Sequence, residues 1–213
     1  MRKTSVVLVA VALLAVSSMA HAATMTPNAG MKGDWLIGPI GGLSIPSGDL
    51  SDASKGNFKL GYNIGGLIDY GMTENVGVGV DGAYHSMTNK DDSSVKAKTT
   101  NFGAHGNWYI PTGGKIMPYI GVGVGYYNRK IEGSSGGVSV SVSKGGLGVN
   151  GGVGVGFPVG NNLGIGVDGR YHWTTKDRFV DDPTAPKINW SFITVDAAIL
   201  YRFSPGGHTA SGM

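Results

Sequence analysis

The strongest constraint in this chain is a stretch that it contains twice. Leu60 to His85 reads LGYNIGGLIDYGMTENVGVGVDGAYH, and 87 positions later Leu147 to His172 reads LGVNGGVGVGFPVGNNLGIGVDGRYH, with twelve of the twenty-six positions matching without a gap. A repeat bears on architecture before any local propensity does, because each copy has to be one structural unit. Each copy holds two runs that alternate with period two about a short break, Gly71 to Asn75 in the first and Pro158 to Asn162 in the second. That is the pattern of a β-hairpin. In the second run of each, Val76, Val78, Val80, Gly82 and Tyr84 point one way, as do Leu163, Ile165, Val167, Gly169 and Tyr171. The other face carries Gly77, Gly79, Asp81, Ala83 and His85, matched by Gly164, Gly166, Asp168, Arg170 and His172. One face is apolar, and the other is glycine, charge and histidine.

The remaining runs extend the plan. Asp34 to Ile45 reads as a first strand, and Phe58, Leu60, Tyr62, Ile64, Ile68 and Tyr70 form one face of the second. Thr99 to Ile110 has Phe102, Ala104, Trp108 and Ile110 on its apolar side. Lys115 to Lys130 sets Ile116, Ile120, Val122, Val124 and Tyr126 outward, with Tyr119, Gly121, Gly123 and Gly125 inward. Trp190 to Phe203 aligns Ile193, Val195, Ala197, Ile199, Tyr201 and Phe203. Polar loops at Ser47 to Asn57, Met87 to Lys96 and Lys176 to Asn189 alternate with turns such as Pro111 to Gly114 and Ser134 to Gly137. The run Val138 to Ser143, VSVSVS, is out of phase with the strand from Leu147 onward. Either a bulge at Gly145 and Gly146 resets the pleat, or this hairpin projects beyond the apolar zone. The count is eight strands in two corresponding four-strand halves.

The ends read differently. Arg2 and Lys3, an apolar run from Val6 to Val16 and the triplet Ala20-His21-Ala22 form a secretory signal peptide over residues 1–22, since the run is short for a membrane span. Residues 23–33 read as a flexible segment, 34–203 as one strand-rich unit, and 204–213 as a disordered tail. Without the signal, 15 basic residues face 14 acidic ones, so no charge argument favours nucleic acid as a partner. The absence of cysteine excludes a disulfide framework. Glycine is abundant, at 38 residues, but shows no collagen period, and the apolar content is too high for disorder.

An even set of alternating antiparallel strands can close on itself and abolish its edges. A soluble barrel would need a charged outer face, and here the second face is mostly glycine. If the apolar face meets lipid, strands of about 10 residues, short turns at one end and long loops at the other fit a transmembrane barrel. Aromatics collect near the two ends: Tyr70, Trp108, Phe157, Tyr201 and Phe203 toward the short turns, and Tyr84, Tyr126, Tyr171, Trp173 and Trp190 toward the long loops. The fold expected is all-β, an eight-stranded antiparallel transmembrane β-barrel with duplication of a four-strand half.

On these residues, the chain resembles the small bacterial outer-membrane β-barrel superfamily. The features that carry the likeness are PYIGVGVGYY from Pro118 to Tyr127, the GYNIGGLIDYGMTENVGVGV hairpin and the alternation Ile199-Leu200-Tyr201-Arg202-Phe203. The layout is similar both to the OmpW type and to the OmpX and OmpA-barrel type. The resemblance implies an integral outer-membrane protein with outer-membrane lipid and the barrel-assembly machinery as partners. In the family the last aromatic commonly ends the chain, whereas here Ser204 to Met213 follow Phe203.

By strand parity the lumen receives Lys59, Asp69, Asp81, His85, His105, Asp168, Arg170, His172, Asp196 and Arg202. Buried charges must pair or be hydrated, so an ion-pair ladder is expected, with Asp81 level with His105 and Arg170 level with Asp196. Two readings of the interior stand. One is packing that fixes the barrel. The other is a narrow polar conduit for small solutes, left open by the inward glycines at 77, 79, 121, 123, 125, 148, 152, 154, 156, 164 and 166. A third class is adhesion through the VSVSVS hairpin and the loop Lys176 to Asn189, since an exposed strand edge invites β-augmentation by an external ligand. An enzyme is not expected: His172 and Thr174 in GRYHWTT resemble the His-x-Ser of lipid A deacylases but lack the serine, and Asp168 lies about 13 Å from His172 along a strand. No cofactor is implied, and the histidines lack metal-ligand spacing.

Overall fold

Period-two alternation becomes eight strands in the computed structural model, which describes residues 31–112, 116–135, 138–160, 162–179, 184 and 187–205. They are β1 (Trp35–Gly48), β2 (Gly61–Gly71), β3 (Val76–Thr88), β4 (Lys96–Tyr109), β5 (Met117–Ser135), β6 (Val138–Pro158), β7 (Leu163–Thr174) and β8 (Trp190–Phe203). Each pairs antiparallel with the next, and β1 pairs with β8 to close the barrel. The expected signal peptide, most of the expected flexible segment, residues 206–213 of the expected tail and the turn residues 113–114 and 136–137 lie outside the described residues. At the near end of the flexible segment, Met31 is buried and Gly33 N–H donates to the Gly71 carbonyl, so the chain is pinned before β1 begins.

The repeat is an in-register duplication of one hairpin. Gly65 pairs with Ala83, and the equivalents 87 positions on, Gly152 and Arg170, pair likewise. The flanking ladders do not repeat: Pro39 faces Gly66, but Val153, the equivalent of Gly66, faces Ile120 rather than Tyr126. The same offset of six recurs where Val80 faces Ala104 and Val167 faces Ala197. An even offset keeps every side chain on its expected face.

The outer face is apolar all round. Phe102, Val122 and Ile64 are 66%, 65% and 63% exposed, and this band is far beyond what a surface against water sustains. Trp35 joins the short-turn-end girdle, 5.0 Å from Tyr70 and 6.4 Å from Phe203, and Tyr62 joins the other, 6.5 Å from Tyr84. Trp190 does not belong to a girdle. It is fully buried on the inner side, its indole donating to Thr99 Oγ1 at 2.9 Å, because even-numbered positions of β8 face inward.

Two strands overshoot the rest. β5 and β6 run 19 and 21 residues against 11 to 14 for the others. Their ladder is unbroken from Met117↔Gly156 to Ser135↔Val138. No bulge resets the pleat, so the valines at 140 and 142 keep the inward phase and the hairpin projects past the apolar zone. Its neighbours stop sooner, at Lys96↔Glu132 on one side and Gly148↔Thr174 on the other.

At the long-loop end the connections form a small apolar core. Leu50, Phe58, Met87, Ala97, Tyr127, Phe179, Trp190 and Phe192 are buried against one another. Phe58, expected on the lipid face, lies in this cap because the chain leaves β2 at Gly61 and folds over the mouth, held by the Phe58↔Asn89 bridge. Met87, placed by the sequence at the start of a polar loop, is an inward residue near the end of β3.

Candidate functional site

Ionisable groups from most of the strands converge on the inner wall, and strand register decides which of them meet. His105 on β4 faces Gly79, and Asp81 faces Gly103, so the two are not level as the sequence suggested. They meet diagonally, with Nδ1 2.7 Å from Asp81 Oδ1, while Nε2 lies 2.5 Å from Asp69 Oδ1. A ring with a proton on each nitrogen satisfies both carboxylates at once. The Arg170 and Asp196 pair does not form. Arg170 faces Thr194, Asp196 faces Asp168, and Arg170 Nε instead donates to Asp168 Oδ2 at 3.0 Å, two residues along its own strand. Tyr119 donates to the same oxygen at 2.9 Å. Asp196 is held by Asn63 Nδ2 at 2.7 Å.

Higher in the lumen two histidines have assignable tautomers. Asn101 donates from Nδ2 to Asp81 Oδ2, so its Oδ1, 2.8 Å from His85 Nε2, must accept. His85 then carries its proton on Nε2 and accepts at Nδ1 from Ser44 Oγ, 3.0 Å away. In the same way, Asn150 donates to the Tyr127 hydroxyl, which donates to His172 Nδ1 at 3.0 Å, leaving Nε2–H for Thr194 Oγ1 at 3.3 Å. His172 also stacks on Phe192, with centroids 4.6 Å apart. The sequence brought Asp69, Asp81, His85, His105, Asp168, Arg170, His172 and Asp196 to the lumen. Lys59 is exposed in the loop before β2, because β2 begins only at Gly61. Arg202 lies at the short-turn mouth, paired with a buried Asp34. The residues missed are Asn63, Asn101, Asn107 and Asn150, at inward positions by the parity that found the charged groups but uncharged and so passed over, and Ser44, on the first strand, whose faces Pro39 and the paired glycines left unassigned in the sequence.

Most of the inward glycines do not line open space, although Gly156 and Gly166 border the lumenal cavity. A Cβ on Gly79 would sit 2.0 Å from Asp69 Oδ1, one on Gly121 2.5 Å from Asn107 Oδ1, and one on Gly154 2.3 Å from the Tyr119 ring. Gly148 abuts Tyr127, and Gly152 abuts Arg170. Each of these five glycines is the seat of a side chain from a neighbouring strand. What remains is a cavity of about 80 Å³ bordered by Asp69, Asp81, Asp168, Arg170 and Asp196, with Met31, Leu36, Met117 and Leu200 on its apolar side. A second cavity of about 60 Å³ shares Met31, Leu36, Met117 and Leu200 with it, so this half of the lumen has room for a cluster of waters, each needing about 10–15 Å³ of such space.

Above the cavity the cap is latched. Arg129, fully buried on β5, donates to Thr174 Oγ1 at 3.1 Å and to the Thr175 carbonyl at 2.7 Å, and it pairs with Asp177. Its guanidinium lies 6.0 Å from the Phe179 ring centroid. On the opposite side, Asp49 accepts from the Asn189 amide at 2.8 Å and from Lys55 at 2.6 Å, and these bonds hold its carboxyl below the usual carboxylate range. Among the described residues, no group of His, Asp and Glu is arranged to hold a metal ion.

The family described as outer membrane protein beta-barrel domain matches residues 8–203. Among solved structures, the chain is similar to the Neisserial surface protein A, with TM-score 0.58 and 18% identity over 81% of this chain and 98% of that one. It is also similar to OprG from Pseudomonas aeruginosa, with TM-score 0.55 and 15% identity over 82% and 97%. The N-terminal barrel of OprF from the same organism gives TM-score 0.50 and 14% identity over 81% and 98%. No curated protein matches the sequence significantly.

Proposed function

The chain belongs to the outer membrane protein β-barrel family, and from that premise we propose that it is a sealed integral barrel whose working surface is external. The capped loop platform and the projecting β5–β6 hairpin present that surface to a ligand or cell outside. The observation that carries this reading is a contrast. The lumen keeps only small cavities of about 80 and 60 Å³ beneath a latched apolar cap, whereas β5 and β6 extend well past every neighbour. The hairpin's outward positions are Ser139, Ser141 and Ser143, and β6 has no ladder partner on its β7 side before Gly148. Such an edge offers backbone donors and acceptors to an added strand. Lipid contacts the apolar wall, and the assembly machinery of the outer membrane inserts it. His172 faces the sealed lumen, out of a lipid's reach, so the reading includes no lipid-modifying chemistry.

The second reading is the narrow polar conduit, favoured by the charged lining and opposed by the side chains seated over the glycines. Planar-bilayer recording of the refolded barrel separates the two. Silence in a correctly folded protein is the expected result. Small discrete steps that change in an Asp81→Asn, Arg170→Gln variant would replace display with conduction. Trimming Ser134 to Lys144 should leave folding intact and reduce binding to cells or matrix; unchanged binding would remove the hairpin from the reading.

A further inference from the structure

Above the long-loop-end girdle, the outer wall of β4 and β5 carries an unusual charge pattern. Lys98 and Lys130 are direct cross-strand partners, and in the next outward pair Lys96 faces Glu132. Like charges directly opposite on a ladder destabilise it. Here Glu132 lies between them, ion-paired to Lys98 and, at 2.7 Å, to Lys130. Those two ammonium groups hold its carboxyl at about 2, well below the ordinary value, so it stays ionised as the bridge. One carboxylate set against Lys96, Lys98 and Lys130 leaves a surplus of two positive charges on this patch.

Position narrows what the surplus is for. The four residues share the outward face with Phe102 and Tyr126, which are paired two outward registers below Lys98↔Lys130. Lys98 also stands one outward register above Tyr84, a girdle residue whose partner on β4 is Thr100. The ammonium groups therefore stand where the apolar band gives way to lipid headgroups. In direct register beside them are the hydroxyls of Thr88 on β3 and Ser141 on β6, with Ser86, which is buried, and Ser143, which donates to Asn128 Oδ1, at the level of Lys98 and Lys130. A phosphate monoester brings about −1.5 to −2 charges and three acceptor oxygens, lysine binds phosphate as a compact point charge, and juxtamembrane basic residues are drawn to anionic lipid surfaces.

We propose that Lys96, Lys98 and Lys130, flanked by the Thr88 and Ser141 hydroxyls, form a docking patch for the phosphate of a phosphorylated glycolipid headgroup in the surrounding leaflet. The patch faces sideways into the membrane, so the lipid is its source of phosphate. It depends on the barrel's place in the membrane and stands whether or not the external surface binds a ligand.

The test uses the full refolded chain in phosphatidylcholine vesicles doped with bis-phosphorylated lipid A, with the lipid A retained per barrel measured after extraction into mild detergent. The native protein should retain lipid A, and the Lys96→Gln, Lys98→Gln, Lys130→Gln variant should retain at least about threefold less. Dephosphorylated lipid A should be retained no better than by that variant. Equal retention by native and triple variant, or equal retention of the dephosphorylated lipid, overturns the proposal. Full displacement by millimolar inorganic phosphate also overturns it, by showing a site for free anions. Because a triple substitution can impair folding, Glu132→Gln supplies an opposite arm: it removes the competing carboxylate and should raise retention, and a fall would count against the patch.

Discussion

At the residue scale, His105 shows how a strand converts sequence spacing into chemistry. Its two ring nitrogens serve carboxylates from β2 and β3, and all three side chains are almost wholly enclosed. Removing one partner of a buried charged set costs about 3–5 kcal/mol, because the others stay buried without compensation, whereas replacing the whole set with neutral groups costs much less. His105→Leu should therefore lower stability by about 3 kcal/mol, read by urea unfolding in vesicles. Adding Asp69→Asn and Asp81→Asn to it should recover most of the loss. Glu132 makes a pH prediction outside the lumen. Its folded pKa is about 2 against an ordinary 4.5, so its contribution is present above 4.5 and is lost as pH falls through about 2. A carbon-detected titration of the Glu132 carboxyl should show no change between pH 7 and pH 4, and a midpoint above 4 would contradict the bridging geometry.

At the element scale, the β7–β8 connection is the longest in sequence, residues 175–189, and Arg129 fixes where it starts. The guanidinium is fully buried, which is tolerable only because Thr174, Thr175 and Asp177 supply acceptors. Arg129→Met keeps much of the volume and removes the donors. It should leave the barrel folded while raising the rate of proteolytic cleavage between Lys176 and Asn189 several-fold, measured on vesicle-embedded protein. The β5–β6 hairpin behaves differently. Its alternation was plain in the sequence, but whether the phase change at Gly145 marked a bulge or an overhang depended on pairing. The continuous ladder to Ser135↔Val138 resolves this as an overhang.

At the scale of the whole molecule, glycine placement sets what the barrel can hold. Gly79→Ala would drive a methyl into Asp69 Oδ1 and the Ile68 carbonyl, at 2.0 and 2.4 Å, whereas an alanine at outward-facing Gly106 meets nothing nearer than 3.9 Å. The first substitution should cost about 1–3 kcal/mol through overpacking, and the second should stay within about 0.5 kcal/mol, both read from unfolding midpoints in the same lipid. Strand count, the in-register hairpin repeat, the apolar outer face and eight of the ten charged positions assigned to the lumen follow from period two alone, because parity is local and survives any even slip between strands. Phe58 went to the wrong surface because aromatic identity near a strand end does not say whether the chain continues up the wall or turns over the mouth, and Trp190 because its aromatic identity was weighed above the parity of β8, which already made it inward. The pairing of Arg170 with Asp168 rather than Asp196, and the filling of the glycine spaces by Tyr119, Tyr127 and Asn107, were decided by register and barrel closure. Those set the heights at which side chains from distant strands meet, and the spacing within one strand does not contain them.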